Sequence, residues 1–167
     1  MADPKYAAYI CTGCGIGERI DAAQTVKIAE KEGKIALVRQ HAFLCSSDGV
    51  ALIRKDIDAG ATHVAIAACS RRSKTEAFHF PNVALARANL REGVIWARPD
   101  TDEARETTQE MADDYVRMAC AELKKMKLPA GNPEVGRSTR ILVVGGGISG
   151  LTAAVEARKT GYEVVLV

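Results

Sequence analysis

Residues 141–167, ILVVGGGISGLTAAVEARKTGYEVVLV, constrain the fold more than any other part of this chain. Residues 141–144 are a β-branched and leucine run suited to a buried parallel strand, and Gly145, Gly147 and Gly150 follow it at G-x-G-x-x-G spacing. The first glycine permits a tight turn, the second lets the backbone approach a pyrophosphate, and the third lets the helix close on the strand. The first amides of that helix then face the phosphates. Residues 151–160 continue as a helix, Gly161 fits its stop, and residues 163–167 form a second strand. The stretch therefore reads as an incomplete Rossmann-type βαβ unit, the start of an FAD- or NAD(P)-binding domain. An ordinary glycine-rich turn of an α/β protein is the competing reading, and the strand before the glycines and the helix after them disfavour it. The fingerprint also calls for an acidic residue about 20 positions on, and the sequence reaches Val167 before one. The expectation is a chain cut inside its flavin or nicotinamide domain, with the site incomplete and no tight FAD or NAD uptake.

The first 127 residues alternate strands and helices, as α/β domains with a mainly parallel sheet and flanking helices do. Residues 5–10 read as a strand entering the cysteine–glycine loop CTGCGIGE, and 21–31 as a helix. After a short apolar run at 35–38, Ser46 or Ser47 is placed to cap a helix reaching about residue 59. The clearest strand is 64–68, leading into Cys69. A helix from about Lys74, a short segment at 83–86, the strand GVIWAR at 93–98 and a long helix over 100–127 complete the pattern. Thr101 is a candidate cap for that last helix, whose acidic first turns suit the helix dipole. The stretch LPAGNPEVGRS, rich in proline and glycine, marks a linker. Expected domains are 1–128, a cysteine-containing α/β domain, a linker over 129–138, and 139–167, the start of the FAD- or NAD(P)-binding domain.

A net charge of +2 gives no electrostatic case for nucleic acid or a membrane surface. No apolar run approaches the ~20 residues of a membrane span, and no charged start leads into a signal-peptide hydrophobic stretch. A soluble, cytoplasmic chain is expected. In that compartment the five cysteines are more often metal ligands or reactive thiols than disulfides.

Cys11 and Cys69 each follow an expected strand, and ligands collect outside the carboxyl ends of parallel strands, so topology sets both on one edge. Cys14 joins Cys11 in a C-x-x-C, whose gap lets both sulfurs turn toward one metal while Gly13, Gly15 and Gly17 free the backbone to wrap around it. Cys45 precedes a helix start, where exposed amides favour thiolate charge; Arg71 and Arg72 are placed to do the same near Cys69. Four thiolates satisfy a [4Fe–4S] cubane or a tetrahedral zinc, and the spacing does not choose between them. Against this, free cysteine is among the most buried residue types, a reading strongest for Cys120 inside the long helix. His41, His63 and His79 read as structural or surface residues, with His41 the nearest substitute ligand, and Trp96 reads as a core anchor.

Taken in order, YICTGCGIGERID, VRQHAFLCSSDGVALIRKDI, HVAIAACSRR, ANLREGVIWA, DDYVRMACAELKK and ILVVGGGISGLTAA resemble the amino-terminal part of the heterodisulfide reductase A subunit and its relatives. Among these relatives is the B subunit of the quinone-interacting membrane-bound oxidoreductase complex. The resemblance covers essentially the whole chain. It implies an iron–sulfur α/β domain ahead of a thioredoxin-reductase-like FAD domain, and a role in relaying electrons among clusters, flavin and other redox subunits of a heterodisulfide-reductase-like complex. Some family members split electron pairs at the flavin. Carried onto this chain, it makes Cys11, Cys14, Cys45 and Cys69 cluster ligands and Gly145, Gly147 and Gly150 part of an FAD site. Two other functions use the same thiols: a zinc-stabilised docking module, and a thiol enzyme with Cys69 activated by a helix start and Arg71 or Arg72. An unfinished βαβ tail also exposes a strand edge, which invites disorder or self-association.

Overall fold

The computed structural model describes residues 3–129 and 139–167. The chain divides into two compact units, Met1–Ala130 and Gly131–Val167. The expected linker at 129–138 lies, apart from Pro129, outside the described residues.

In the first unit β1 (Tyr6–Cys11), β2 (Leu37–His41), β3 (His63–Ala68) and β4 (Ala84–Asn89) form one sheet in the order β2-β1-β3-β4. Every pairing is parallel: Cys11 stands opposite His41, Ile10 opposite Ala67, and Ala68 opposite Asn89. The central strands β1 and β3 are buried almost throughout, which suits their near-continuous apolar sequences. A single-turn helix α1 (Ile16–Arg19) follows β1, and α2 (Ala22–Lys31) leads to β2. Asp21 caps α2, accepting from the amides of Ala23 and Gln24. From β2 the chain passes through α3 (Ser47–Asp58) to β3. The long α4 (Asp102–Lys125) packs on α2, β3 and β4. Thr101 sits at its N-cap without making a side-chain cap bond.

Two buried polar networks fasten helices to this core. Tyr9 donates its hydroxyl to Asp56 at 2.8 Å, and Arg39 reaches the same carboxylate through Nε at 2.7 Å and Nη2 at 3.0 Å. Between α2 and α4, Asp113 accepts from Gln24 at 2.7 Å, from Thr25 at 3.0 Å and from Gln109 at 3.0 Å. Buried carboxylates persist in such places because each lone pair is answered.

Two expected elements differ. No helix begins near Lys74; residues 71–78 run as turns, with Lys74 at φ +54° and Asn82 at φ +61°. Left-handed residues interrupt an α-helix, and these two bracket the region. The run GVIWAR is not a strand either. Arg91–Ile95 form one turn of π-helix, while the fourth strand is the alanine-rich ALARAN. Val94 and Ile95 are buried within that turn, but Trp96 is 66% exposed and anchors no core.

The second unit is a βαβ: β5 (Arg140–Val143) and β6 (Glu163–Leu166) pair in parallel, and α5 (Ile148–Lys159) packs on both. Gly161, at φ +96°, ends the helix in the left-handed conformation that glycine accepts without strain. Together the two units are an α/β chain with a parallel sheet flanked by helices, followed by a Rossmann-type βαβ.

Candidate metal centre and nucleotide turn

Parallel strands deliver their carboxyl ends to one edge, and that edge gathers the cysteines. Cys11 is the last residue of β1 and is 7% exposed; Cys69 directly follows β3 and is 6% exposed. Beyond Cys11 the chain turns tightly: the amide of Thr12 donates to His41 O at 3.1 Å, that of Ile16 to Gly13 O at 3.2 Å, and that of Gly17 to Thr12 O at 2.9 Å. Cys14, at φ +55°, and Gly15, at φ +83°, are successive left-handed residues. Glycine takes that conformation freely, whereas a cysteine there is uncommon and is held by its surroundings.

Cys45 comes from the connection between β2 and α3. Ser46 caps α3, its Oγ accepting from the Gly49 amide at 3.1 Å and donating to Phe43 O at 2.7 Å. Two glycines let this connection settle. A Cβ on Gly49 would stand 2.4 Å from Phe43 O, and one on Gly13 would stand 2.0 Å from Ala42 O and 2.6 Å from the Phe43 ring. The Cys11–Cys14 loop and the segment before Cys45 are therefore in direct backbone contact.

As a result Cys11, Cys14, Cys45 and Cys69 all line one cavity of about 40 Å³, closed in part by Phe43 and Phe78. Burial pushes the Cys11 thiol up from its ordinary value; the amides of Leu44 and Gly13 pull the other way, and charge on Cys14 or Cys45 would raise it further. Amides aimed at a sulfur are what a metal-bound thiolate uses. All four thiols are free. As the side chains stand, no group of three or more His, Cys, Asp or Glu among the described residues is arranged to hold a metal ion. The donor set is nevertheless the right one for a larger thiolate-bound group: four sulfurs on one cavity, backbone amides beside one of them, and no carboxylate among the lining residues.

The cations beside these thiols are not the expected ones. Arg71 pairs with Glu122 at 2.5 Å on an exposed surface, and Arg72 is exposed. Instead Arg87 donates Nη2 to Cys69 Sγ at 3.2 Å, and Arg91 lines the cavity. Glu92 pins this corner, accepting from the Ser70 amide at 2.7 Å and from Arg91 at 2.7 Å. Because turns rather than a helix follow Cys69, helix-start activation of that thiol has no structural basis. His41 accepts from the Phe43 amide at 3.0 Å through Nδ1 and so orders the loop before Cys45. Cys120 is buried against Gly33 in the core.

In the second unit the glycines divide as the fingerprint requires. Gly145 is at φ +107° in the turn; a Cβ on Gly147, at the head of α5, would meet nothing within 4 Å; one on Gly150 would lie 1.9 Å from Gly145 O. Only glycine at 150 lets the helix close on the turn, and the space at 147 is open for a phosphate to approach the helix amides. This cradle fits the pyrophosphate of a dinucleotide.

Comparison with known proteins finds similarity along both units. The family model for the NAD(P)-binding Rossmann-like domain matches residues 143–167. The chain is 33% identical, over 99% of its length, to the second iron-sulfur A subunit of the CoB–CoM heterodisulfide reductase of Methanopyrus kandleri. It is 30% identical, over its full length, to the A subunit of the H(2):CoB-CoM heterodisulfide,ferredoxin reductase of Methanothermobacter marburgensis. It is also 30% identical, over 99% of its length, to a protein of Archaeoglobus profundus named for its likeness to the heterodisulfide reductase A subunit. It spans 26%, 26% and 24% of those relatives, about a quarter of their length. With its parallel sheet, its Rossmann-type βαβ and these relatives along its whole length, the chain corresponds to about a quarter of a heterodisulfide reductase A subunit.

Proposed function

We propose that the first unit holds a [4Fe–4S] cluster on Cys11, Cys14, Cys45 and Cys69, and that the βαβ unit supplies the pyrophosphate turn of an FAD site. In this reading the chain is the electron-relay part of a cytoplasmic redox subunit that works with other subunits of a heterodisulfide-reductase-like complex. The observation that carries it is the convergence of four thiols, from three separate segments, on one cavity. When bound, such a cluster accepts and releases single electrons at a potential set by charge, hydrogen bonds to sulfur and exposure.

The chain's own residues prepare that site. The amides of Leu44 and Gly13 stabilise negative charge on Cys11. Glu92 and Arg91 hold the loop after Cys69 in place. Phe43 and Phe78 limit access of water to the sulfurs. Gly147 leaves room for phosphates at the start of α5.

Anaerobic purification followed by iron, sulfide and zinc analysis and an absorption spectrum tests the reading. About four irons and four sulfides per chain, with a broad visible band, are expected. Colourless protein with stoichiometric zinc would replace it with the docking-module reading. A metal-free chain with one fast-alkylating cysteine would replace it with a thiol enzyme.

A further inference from the structure

Arg87 sits on β4, opposite Ile66 of β3, and is only 9% exposed. Its Nη2 donates to Cys69 O at 2.8 Å and to Cys69 Sγ at 3.2 Å, and its Nη1 donates to Ser73 O at 3.1 Å. The guanidinium carbon lies 4.6 Å above the centre of the Phe78 ring, which lines the cysteine cavity. Its buried Nε has no hydrogen-bond partner, and among the described residues no carboxylate forms an ion pair with it. Glu92, the acid of this corner, is already engaged by Arg91 and by the Ser70 amide.

A buried guanidinium is costly without a compensating anion. Two carbonyl oxygens and an aromatic face offset part of that cost, but among the described residues the one group hydrogen-bonded to Arg87 that can carry a full negative charge is the Cys69 sulfur. We propose that Arg87 is the built-in counter-cation of the Cys69 corner and makes the cluster easier to reduce. This inference rests on the cluster assignment proposed above. A cluster held by four thiolates is anionic, and an electron from a one-electron donor makes it more so. A fixed positive charge in contact with one of its ligands therefore stabilises the reduced form more than the oxidised form.

The test is a mediator titration, followed by electron paramagnetic resonance, of the anaerobically reconstituted full chain and its Arg87→Gln and Arg87→Lys variants. Glutamine keeps a donor but removes the charge. The reduction equilibrium of Arg87→Gln is expected to weaken on the order of tenfold, about 59 mV for a one-electron couple, while Arg87→Lys recovers most of that loss. Iron and sulfide are measured alongside. Wild-type protein that takes up no cluster would overturn the assignment itself, and this inference with it. Wild-type and Arg87→Gln proteins that both load and share one potential would leave the cluster standing and remove Arg87 from the tuning role. For the case in which Arg87→Gln does not load, reduced wild-type protein carrying 15N-arginine supplies a second measurement. Nitrogen hyperfine coupling to the cluster supports the contact, and its absence overturns it.

Discussion

Replacing Gly13 with alanine is the sharpest test of how the cysteine cavity is built. The added Cβ would stand 2.0 Å from the carbonyl oxygen of Ala42 and 2.6 Å from two atoms of the Phe43 ring. The ring can rotate, but the carbonyl belongs to the backbone that continues into Cys45. Reaching even a tight contact of ~3 Å moves one loop against the other by roughly 1 Å, and strain of this kind costs about 1–3 kcal/mol. A backbone obstacle places Gly13→Ala toward the top of that range. With roughly 3–5 °C lost per kcal/mol in a unit of this size, melting should fall by about 6–15 °C. Since the same movement separates Cys11 and Cys14 from Cys45, iron per chain after reconstitution should fall by half or more. Gly146→Ala, whose Cβ would meet nothing within 4 Å, is the control and should change neither quantity. Thermal melts by circular dichroism and iron analysis on both variants decide the matter. Gly13→Ala protein with wild-type melting and wild-type iron would refute the claim that contact between these two loops assembles the site.

Cys69→Ser should abolish or severely reduce cluster uptake, whereas Cys120→Ala should leave iron content unchanged and cost about 1 kcal/mol of stability; equal iron loss in the two would break the assignment. Burial holds the Cys120 thiol above its ordinary value of 9.0, so above that pH the unfolded chain loses a proton that the folded chain retains. Stability of the metal-free protein should accordingly fall as pH rises from about 9, less steeply in Cys120→Ala, as read from urea midpoints. Asp56 behaves oppositely: the hydrogen bond from Arg39 leads in holding its carboxyl below the usual range. Its stabilising effect is present above pH ~4 and is lost as pH falls through the lowered value. Asp56→Ala should therefore cost about 2 kcal/mol at neutral pH and flatten the acid limb of the stability profile, and an unchanged acid limb would exclude this network as its source.

Much of this architecture was legible because its signals are local. Buried parallel strands read as apolar runs, which exposed β1 and β3; Ser46, with Ser47 as the alternative, announced its helix as a cap; and a cysteine after a strand must lie on the carboxyl edge. Signals that depend on tertiary context misled. ALARAN has little β propensity, yet it becomes a strand because β3 offers a free edge and α4 covers it. GVIWAR has the composition of a strand, but the sheet already has its neighbour there, so the run coils into a π-turn and leaves Trp96 outside. The cation at Cys69 was sought in Arg71 and Arg72 because they are adjacent in sequence. Arg87 is 18 residues away and reaches the sulfur across strand pairing, and an arginine among alanines gives no sign that it is buried.

The four thiols come from positions 11, 14, 45 and 69, so the site exists only once β1, the β2–α3 connection and β3 have come together. A growing chain offers a bare C-x-x-C long before it offers a cavity. Cofactor insertion would then follow assembly of the sheet, and every molecule would pass through a folded, metal-free stage with four reduced sulfurs in close company. If the cluster proposed above is inserted at that stage, an oxidant would compete with the iron donor, and the exposed Cys14 is the sulfur it would meet first. The yield of active protein in air would be set by that race as much as by stability.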